Sequence, residues 1–306
     1  MKYIFGPVPS RRFGLSLGID IIPRKVCTLD CVYCQIGNTT KLTLQRKPYV
    51  AIKPILNELI QVLKSNIKID YLTFSGSGEP TLNSNIGRLI SEIKKITNIP
   101  IVVLTNGTLF YRETLRKDLL HADIVAPSLD AIFSFNKINR PHKKLKINKI
   151  INGLAEFRKI FKGKIWLEIL LVKNINDSPA ELKSLRKAIL KINPDEIHLN
   201  TVVRPPTKIS AKPLRWKELT KIKKFFGNKC KIISYNDKKK SENTGRNVSK
   251  YILEVLKRRP MQLKDVQNVI GIDKRTILKE MWLLERNKII VNNDNWWTLK
   301  TSADGE

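Results

Sequence analysis

KVCTLDCVYCQIGNT, residues 25–39, places Cys27, Cys31 and Cys34 in one short window with the spacing C-x3-C-x2-C. Three thiolates on so short a loop can hold three irons of a cubane cluster and leave the fourth iron open, because no fourth cysteine is near. An electron passed into a sulfonium bound at that open iron can break a carbon–sulfur bond and release a carbon radical, chemistry that side chains alone do not supply. A zinc knuckle would need a further Cys or His close by. The nearest histidine is His121; Cys230, far along the chain in the apolar stretch CKIISY, reads as a buried structural thiol. Clustered cysteines of this kind suit metal binding in a reducing compartment better than disulfides.

Outward from this window, apolar runs bounded by turn residues alternate with amphipathic segments as far as about residue 235, the pattern of βα units around a parallel sheet. The pattern predicts strands near 15–22, 70–75, 100–105, 123–129, 165–172, 196–203 and 230–235. Helices are expected over Ile52–Ser65, Asn85–Ile96, Ile147–Phe161 and Pro179–Lys191. A polar, aperiodic stretch over 236–247 reads as a linker between a core over 1–235 and a small unit over 248–300, with a tail at 301–306. In the small unit, two helical segments, Gly271, a third helix capped by Asp273 with Ile277, Leu278, Met281 and Leu284 as its apolar face, and a hairpin carrying Trp296 and Trp297 make a winged-helix pattern. Lys274, Arg275 and Lys279 would face outward as candidate nucleic-acid contacts, and one of the adjacent tryptophans must point inward.

The cysteine window, with Tyr33 before the last cysteine, resembles the signature of the radical S-adenosylmethionine (SAM) superfamily. Leu72-Thr-Phe-Ser-Gly76-Ser-Gly78-Glu79-Pro80 is similar to that family's glycine-rich GGE segment, and Thr105-Asn106-Gly107 to its TNG segment. Ser128 and Asp130 lie where related enzymes place polar groups toward the cofactor. The resemblance implies an α/β fold: a partial (β/α)6 TIM-like barrel, here with a small C-terminal winged-helix domain. It also implies a [4Fe-4S] cluster on Cys27, Cys31 and Cys34, and S-adenosyl-L-methionine seated by Tyr33, Gly76, Gly78, Glu79, Asn106, Ser128 and Asp130. The glycines would let backbone approach the bound amino acid moiety, and the Glu79 carboxylate could pair with its ammonium group. The opening stretch YIFGPVPSRRFGLSLGID, residues 3–20, resembles a subgroup grouped loosely with wyosine-type tRNA-modifying enzymes. Those synthases carry further cysteines for a second cluster, which a solitary Cys230 cannot provide.

The same opening reads as a rigid Pro-containing arm presenting Arg11 and Arg12 to phosphate or carboxylate. Arg140, His142 and Arg204 follow strand ends, where substrate contacts are expected. Lys and Arg number 57 against 27 Asp and Glu, a formal net charge of +30, which favours polyanionic partners, tRNA or other RNA above all. A thermophilic surface would raise Glu along with Lys, and the acids do not follow. No apolar run approaches membrane-spanning length and no signal peptide is evident, so the expectation is a cytoplasmic enzyme. The reading that results is a radical SAM oxidoreductase forming a 5′-deoxyadenosyl radical to modify RNA, supplied with electrons by ferredoxin or flavodoxin. The alternatives are an activase or maturase acting on a protein or metabolite, and an iron–sulfur DNA-binding sensor. A sensor would need no cradle for SAM.

Overall fold

In the computed structural model, which describes residues 1–65, 67–234, 248–258, 260–270 and 273–300, the apolar runs pair into one eight-stranded sheet. The chain opens with β1 (Ile4–Ser10) and β2 (Gly14–Ile19), an antiparallel pair. Two-residue strands β3 (Val26–Cys27) and β4 (Lys41–Leu42) then close the base of the cysteine loop. Alternating elements follow: α1 (Ile52–Leu63), β5 (Tyr71–Phe74), α2 (Ile86–Ile96), β6 (Ile101–Thr105), α3 (Glu113–Asp118), β7 (Ile124–Pro127), α4 (Phe135–Asn139) and α5 (Ile147–Ile160). After these come β8 (Lys164–Leu171), α6 (Pro179–Ile192), β9 (Glu196–Thr201), α7 (Trp216–Phe226) and β10 (Cys230–Ile232). The strand order is β1-β2-β5-β6-β7-β8-β9-β10, parallel throughout from β2 onward.

All the strands expected from the sequence are present, and the parallel α/β sheet is that of a partial barrel. The stretch read as an arm is instead β1, which adds an antiparallel edge and bulges between Phe5 and Val8. Helices α3, α4 and α7 were not anticipated; the first two are too short to show a helical period.

Period-two alternation in β8 fixes what faces the barrel interior. Ile165, Leu167, Ile169 and Leu171 are fully buried toward the helices, which leaves Trp166, Glu168 and Leu170 on the concave side. Apolar stripes of the helices, Leu59 of α1, Ile90 of α2, Phe157 of α5 and Leu185 of α6 among them, close over the outer face and form the main core. Ser178 caps α6 by accepting from the Glu181 amide, with Pro179 in the first turn.

Three further helices, α8 (Val248–Leu256), α9 (Leu263–Ile270) and α10 (Lys274–Arg286), with the hairpin β11 (Ile290–Asn293) and β12 (Trp296–Leu299), make a second core. In it Tyr251, Ile252, Val255, Met261, Ile277, Met281 and Trp297 pack with Phe5 and Val8 of β1. Asp273 caps α10 through the amides of Arg275 and Thr276. The inward face of α10 is Ile277, Met281 and Leu284; Leu278, expected there, is 39% exposed because it lies about 100° round the helix from Ile277. Of the tryptophan pair, Trp297 points inward. The linker over 236–247, the tail at 301–306 and Gly271 lie outside the described residues. Among those described, no helix is long and apolar enough to cross a membrane.

Candidate functional site

The carboxyl ends of the parallel strands surround a cavity of about 400 Å³, and Cys27, Cys31 and Cys34 all border it. Each of the three sulfurs receives one N–H donor from a different part of the chain. Lys25 Nζ lies 3.1 Å from Cys34 Sγ, Asn139 Nδ2 3.3 Å from Cys31 Sγ, and Asn106 Nδ2 3.5 Å from Cys27 Sγ. Lys25 is buried, with a left-handed backbone (φ 57°), and so holds an ammonium group against the loop. Burial pushes the Cys27 thiol up to about 12 and the Cys31 thiol higher still, so neither ionises at neutral pH without an electrophile on sulfur.

These features fit a cluster. The donors are disposed toward charge on the sulfurs, and metal binding is what deprotonates buried thiols. Among the described residues no three Cys, His, Asp or Glu side chains converge on a single-ion site.

Tyr33 donates to the Asp130 carboxylate, which also accepts from Asn139 Nδ2 at 2.8 Å and the Leu170 amide at 2.9 Å. Burial raises Asp130 to about 6 despite these donors, leaving it mostly ionised at neutral pH. Asp130 therefore orients Tyr33 and Asn139 and lies behind the main cavity, beside a small void that it shares with Ser128. Ser128 and Asn106 border both spaces.

The glycine segment borders the cavity through Gly76, Gly78 and Glu79. Glu79, 2% exposed, accepts from Thr81 N and Oγ1, Thr105 Oγ1 and Asn106 N at 2.6–3.0 Å. Its carboxylate thus ties the ends of β5 and β6 together, and burial raises it above the ordinary range. Gly76 and Gly78 also allow a close approach within the protein's own chain. Gly76 has φ +141°, and a Cβ there would meet the Asp20 carboxylate at 2.4 Å; at Gly78 it would meet the Val26 carbonyl oxygen at 2.2 Å. Because the latter neighbour is backbone, Gly78→Ala is expected to destabilise the apoprotein by about 1–3 kcal/mol. The change reads out as a lower urea midpoint and would be absent if the cysteine loop could simply shift.

Both arginines of the opening stretch border the cavity, but they bind protein. Arg12 pairs with Glu168 at 2.8 Å, and Arg11 Nη1 lies 3.4 Å from Asn200 Oδ1 and 3.3 Å from the Ser234 carbonyl. Burial alone would raise Glu168, yet the Arg12 charge, the Asn200 hydrogen bond and Arg11 together hold it below the usual carboxylate range. Arg204 borders the cavity and donates to Gln35. Arg140 and His142 do not reach it. Arg140 ends α4 in a left-handed conformation that turns it onto Asp30 at 2.6 Å, and the His142 ring accepts from the Lys144 amide. Lys274, Arg275 and Lys279 are exposed on α10, away from the cavity.

Sequence reasoning misses further residues of the site: Glu168, Asn200 and Arg258 line the cavity, while Lys25 and Asn139 reach the cysteine sulfurs and Asp20 pairs with Arg258. Asp20 follows β2 and accepts from Ser77 N and Oγ, which anchors the glycine segment. Arg258, from the second core, reaches Asp20 at 3.3 Å and borders the cavity.

The Radical SAM superfamily description matches residues 21–185. A UPF0026 protein of Methanocaldococcus jannaschii is 37% identical over 242 residues, 76% of this chain and 75% of that protein. The GTPase Obg of Brachyspira hyodysenteriae is 45% identical over 265 residues, 85% of this chain, which spans 39% of that relative. A radical SAM methyltransferase from Sphaerobacter thermophilus superposes with a TM-score of 0.56 at 15% identity, over 71% of this chain and 65% of that one, a likeness of fold. Cysteine loop, partial barrel and relatives agree: the chain belongs to the radical SAM superfamily, whose members use a [4Fe-4S] cluster and S-adenosylmethionine, and within it to the UPF0026 group.

Proposed function

We propose that the chain is a radical SAM enzyme that modifies tRNA or another nucleic acid, with Cys27, Cys31 and Cys34 holding the cluster. The observation that carries this reading is the set of three cysteine sulfurs on one cavity, each met by its own N–H donor. The chemistry such a cluster supplies when bound is one-electron cleavage of S-adenosylmethionine to a 5′-deoxyadenosyl radical.

The chain's own residues do the rest. Lys25, Asn106 and Asn139 direct donors at the sulfurs and set how easily the site accepts an electron. Asp130 holds Tyr33 and Asn139 in place, while Glu79 locks Thr105 and Asn106 at the ends of their strands. Ser128, Asn106 and the backbone of Gly76–Glu79 border the space for S-adenosylmethionine. Phe5, Val8, Leu104 and Leu170 line the same cavity with apolar surface that limits water around a reactive carbon radical. Ferredoxin or flavodoxin would serve as the electron donor, and α8 to β12 would act as a winged-helix recruiter with Lys274, Arg275 and Lys279 facing the polyanion. The net charge of +30 supports RNA as the substrate class.

The test is anaerobic reconstitution with iron and sulfide, addition of dithionite and S-adenosylmethionine, and assay of 5′-deoxyadenosine with and without cellular RNA. Stimulation by RNA is expected; cleavage that RNA leaves unchanged would redirect the substrate to a protein or a metabolite.

A second outcome concerns Lys25. Lys25→Met removes the one cationic donor to a sulfur among the described residues, so the cluster should become harder to reduce. We expect its midpoint potential to fall by roughly 59 mV or more, a tenfold change in a one-electron equilibrium. Lys25→Arg should restore most of the shift, as followed by spectroelectrochemistry.

A further inference from the structure

Beside the main site lies a second cavity, of about 310 Å³, whose lining includes Tyr111, Arg112, Lys144, Lys146 and Lys149 and no carboxylate. Its cations come from two separate segments. Arg112 is fixed, its Nη2 donating to the Leu44 carbonyl at 3.0 Å and its Nε to Tyr111 Oη at 3.3 Å. The lysines are exposed, and among the described residues no ion pair involves them.

Their placement runs against helix electrostatics. Lys146 is the N-cap of α5 and Lys149 sits in its first turn, where no acidic residue and no side-chain cap offset the positive end of the helix. Four cations without a counter-charge repel one another, and an anion in the cavity relieves that repulsion. Phosphate suits them better than carboxylate, because its several acceptor oxygens can meet a guanidinium and more than one ammonium together.

The location ties this cavity to the reaction. The lysine segment is stitched to the cysteine loop: the His142 amide donates to the Thr28 carbonyl at 3.0 Å, Pro141 bridges Leu29, and Arg140 pairs with Asp30. On the other side, Tyr111 and Arg112 follow Asn106, which borders the main cavity.

We propose that this basic cavity is a phosphate subsite and, resting on the nucleic-acid reading above, that its occupant is a backbone phosphodiester of the RNA next to the nucleotide presented to the main cavity. The test compares full-length, anaerobically reconstituted protein with the double variants Lys146→Glu/Lys149→Glu and Lys146→Gln/Lys149→Gln. The control is Lys221→Glu/Lys224→Glu on α7, exposed lysines at the far side of the sheet order, with the same net charge as the first variant. Affinity for an unmodified tRNA transcript is measured across salt concentrations, and inorganic phosphate is titrated separately.

The cavity variants are expected to bind the transcript about tenfold or more weakly, with the slope of log affinity against log salt shallower by about 1 or more; the control should change far less. Loss of inorganic phosphate binding with unchanged RNA affinity would support the phosphate subsite and assign it a free phosphate compound, overturning the backbone assignment. Equal losses in cavity variants and control, or no loss in any, would overturn the subsite. Cleavage of S-adenosylmethionine without RNA should be unchanged in every variant, so its failure in the unaltered protein would strike the enzymatic reading and leave the cavity to be judged on binding alone.

Discussion

Cys31→Ala is expected to lose the iron–sulfur chromophore and to reduce 5′-deoxyadenosine formation to background. Three thiolates are the minimum that holds a cubane at three corners, and no other Cys, His, Asp or Glu group among the described residues completes a metal site in their place. The loss should exceed the ~10–100-fold typical of removing a partner that only supports a ligand. Cys230 supplies the control. Its thiol is buried beside α7 on β10, outside the cavity lining, and burial pushes it up to about 12. Cys230→Ala should therefore leave both chromophore and product intact; equal loss from both substitutions would indicate general misfolding rather than a lost ligand.

Arg258→Met is expected to destabilise the protein by about 3–5 kcal/mol near pH 8, since it strands the Asp20 carboxylate at 7% exposure. The effect should shrink in acid. Burial already raises Asp20 above its ordinary value, more than the Ser77 hydrogen bonds and the Arg258 charge lower it. A carboxyl raised on folding contributes most below its unfolded value near 3.8, and that contribution is lost as pH climbs through the folded value. Without Arg258 the folded value rises further, so the penalty grows as pH climbs above the unfolded value near 3.8. The part that remains in acid reflects lost hydrogen bonds from Arg258 to the Glu254 and Lys2 carbonyls and its stacking over Phe5 at 4.6 Å. Adding Asp20→Asn to Arg258→Met should recover much of the pH-dependent part, whereas strictly additive losses in urea unfolding would show that the two residues are not coupled.

This pair also shows what the sequence could and could not reveal. The cysteine loop, the alternating strands and helices, and the helical tail are local patterns with their own periodicity and punctuation, and the structure reproduces them. Asp20 and Arg258 lie almost at opposite ends of the core and tail, and only folding brings them together. The same holds for Arg12 with Glu168 and Asn139 with Cys31. Asn139 was within reach: it precedes Arg140, and the left-handed turn at Arg140 sends the arginine outward while Asn139 stays buried. Lys25 offers a signal too, as one of two adjacent cations, Arg24 and Lys25, just before the first cysteine. The glycines at 76 and 78 border the cavity and also lie against Asp20 and the Val26 backbone, a second close approach that the sequence does not announce. Glycine in a loop signals close approach without saying of what.

A cluster held by Cys27, Cys31 and Cys34 would keep one metal corner that the protein leaves unclaimed. The most direct check is electron paramagnetic resonance of the anaerobically reconstituted, reduced protein before and after S-adenosylmethionine is added. A reduced-cluster signal whose shape or g-values change on addition is predicted. A signal indifferent to the compound, or purified protein whose three cysteines carry zinc, would contradict it.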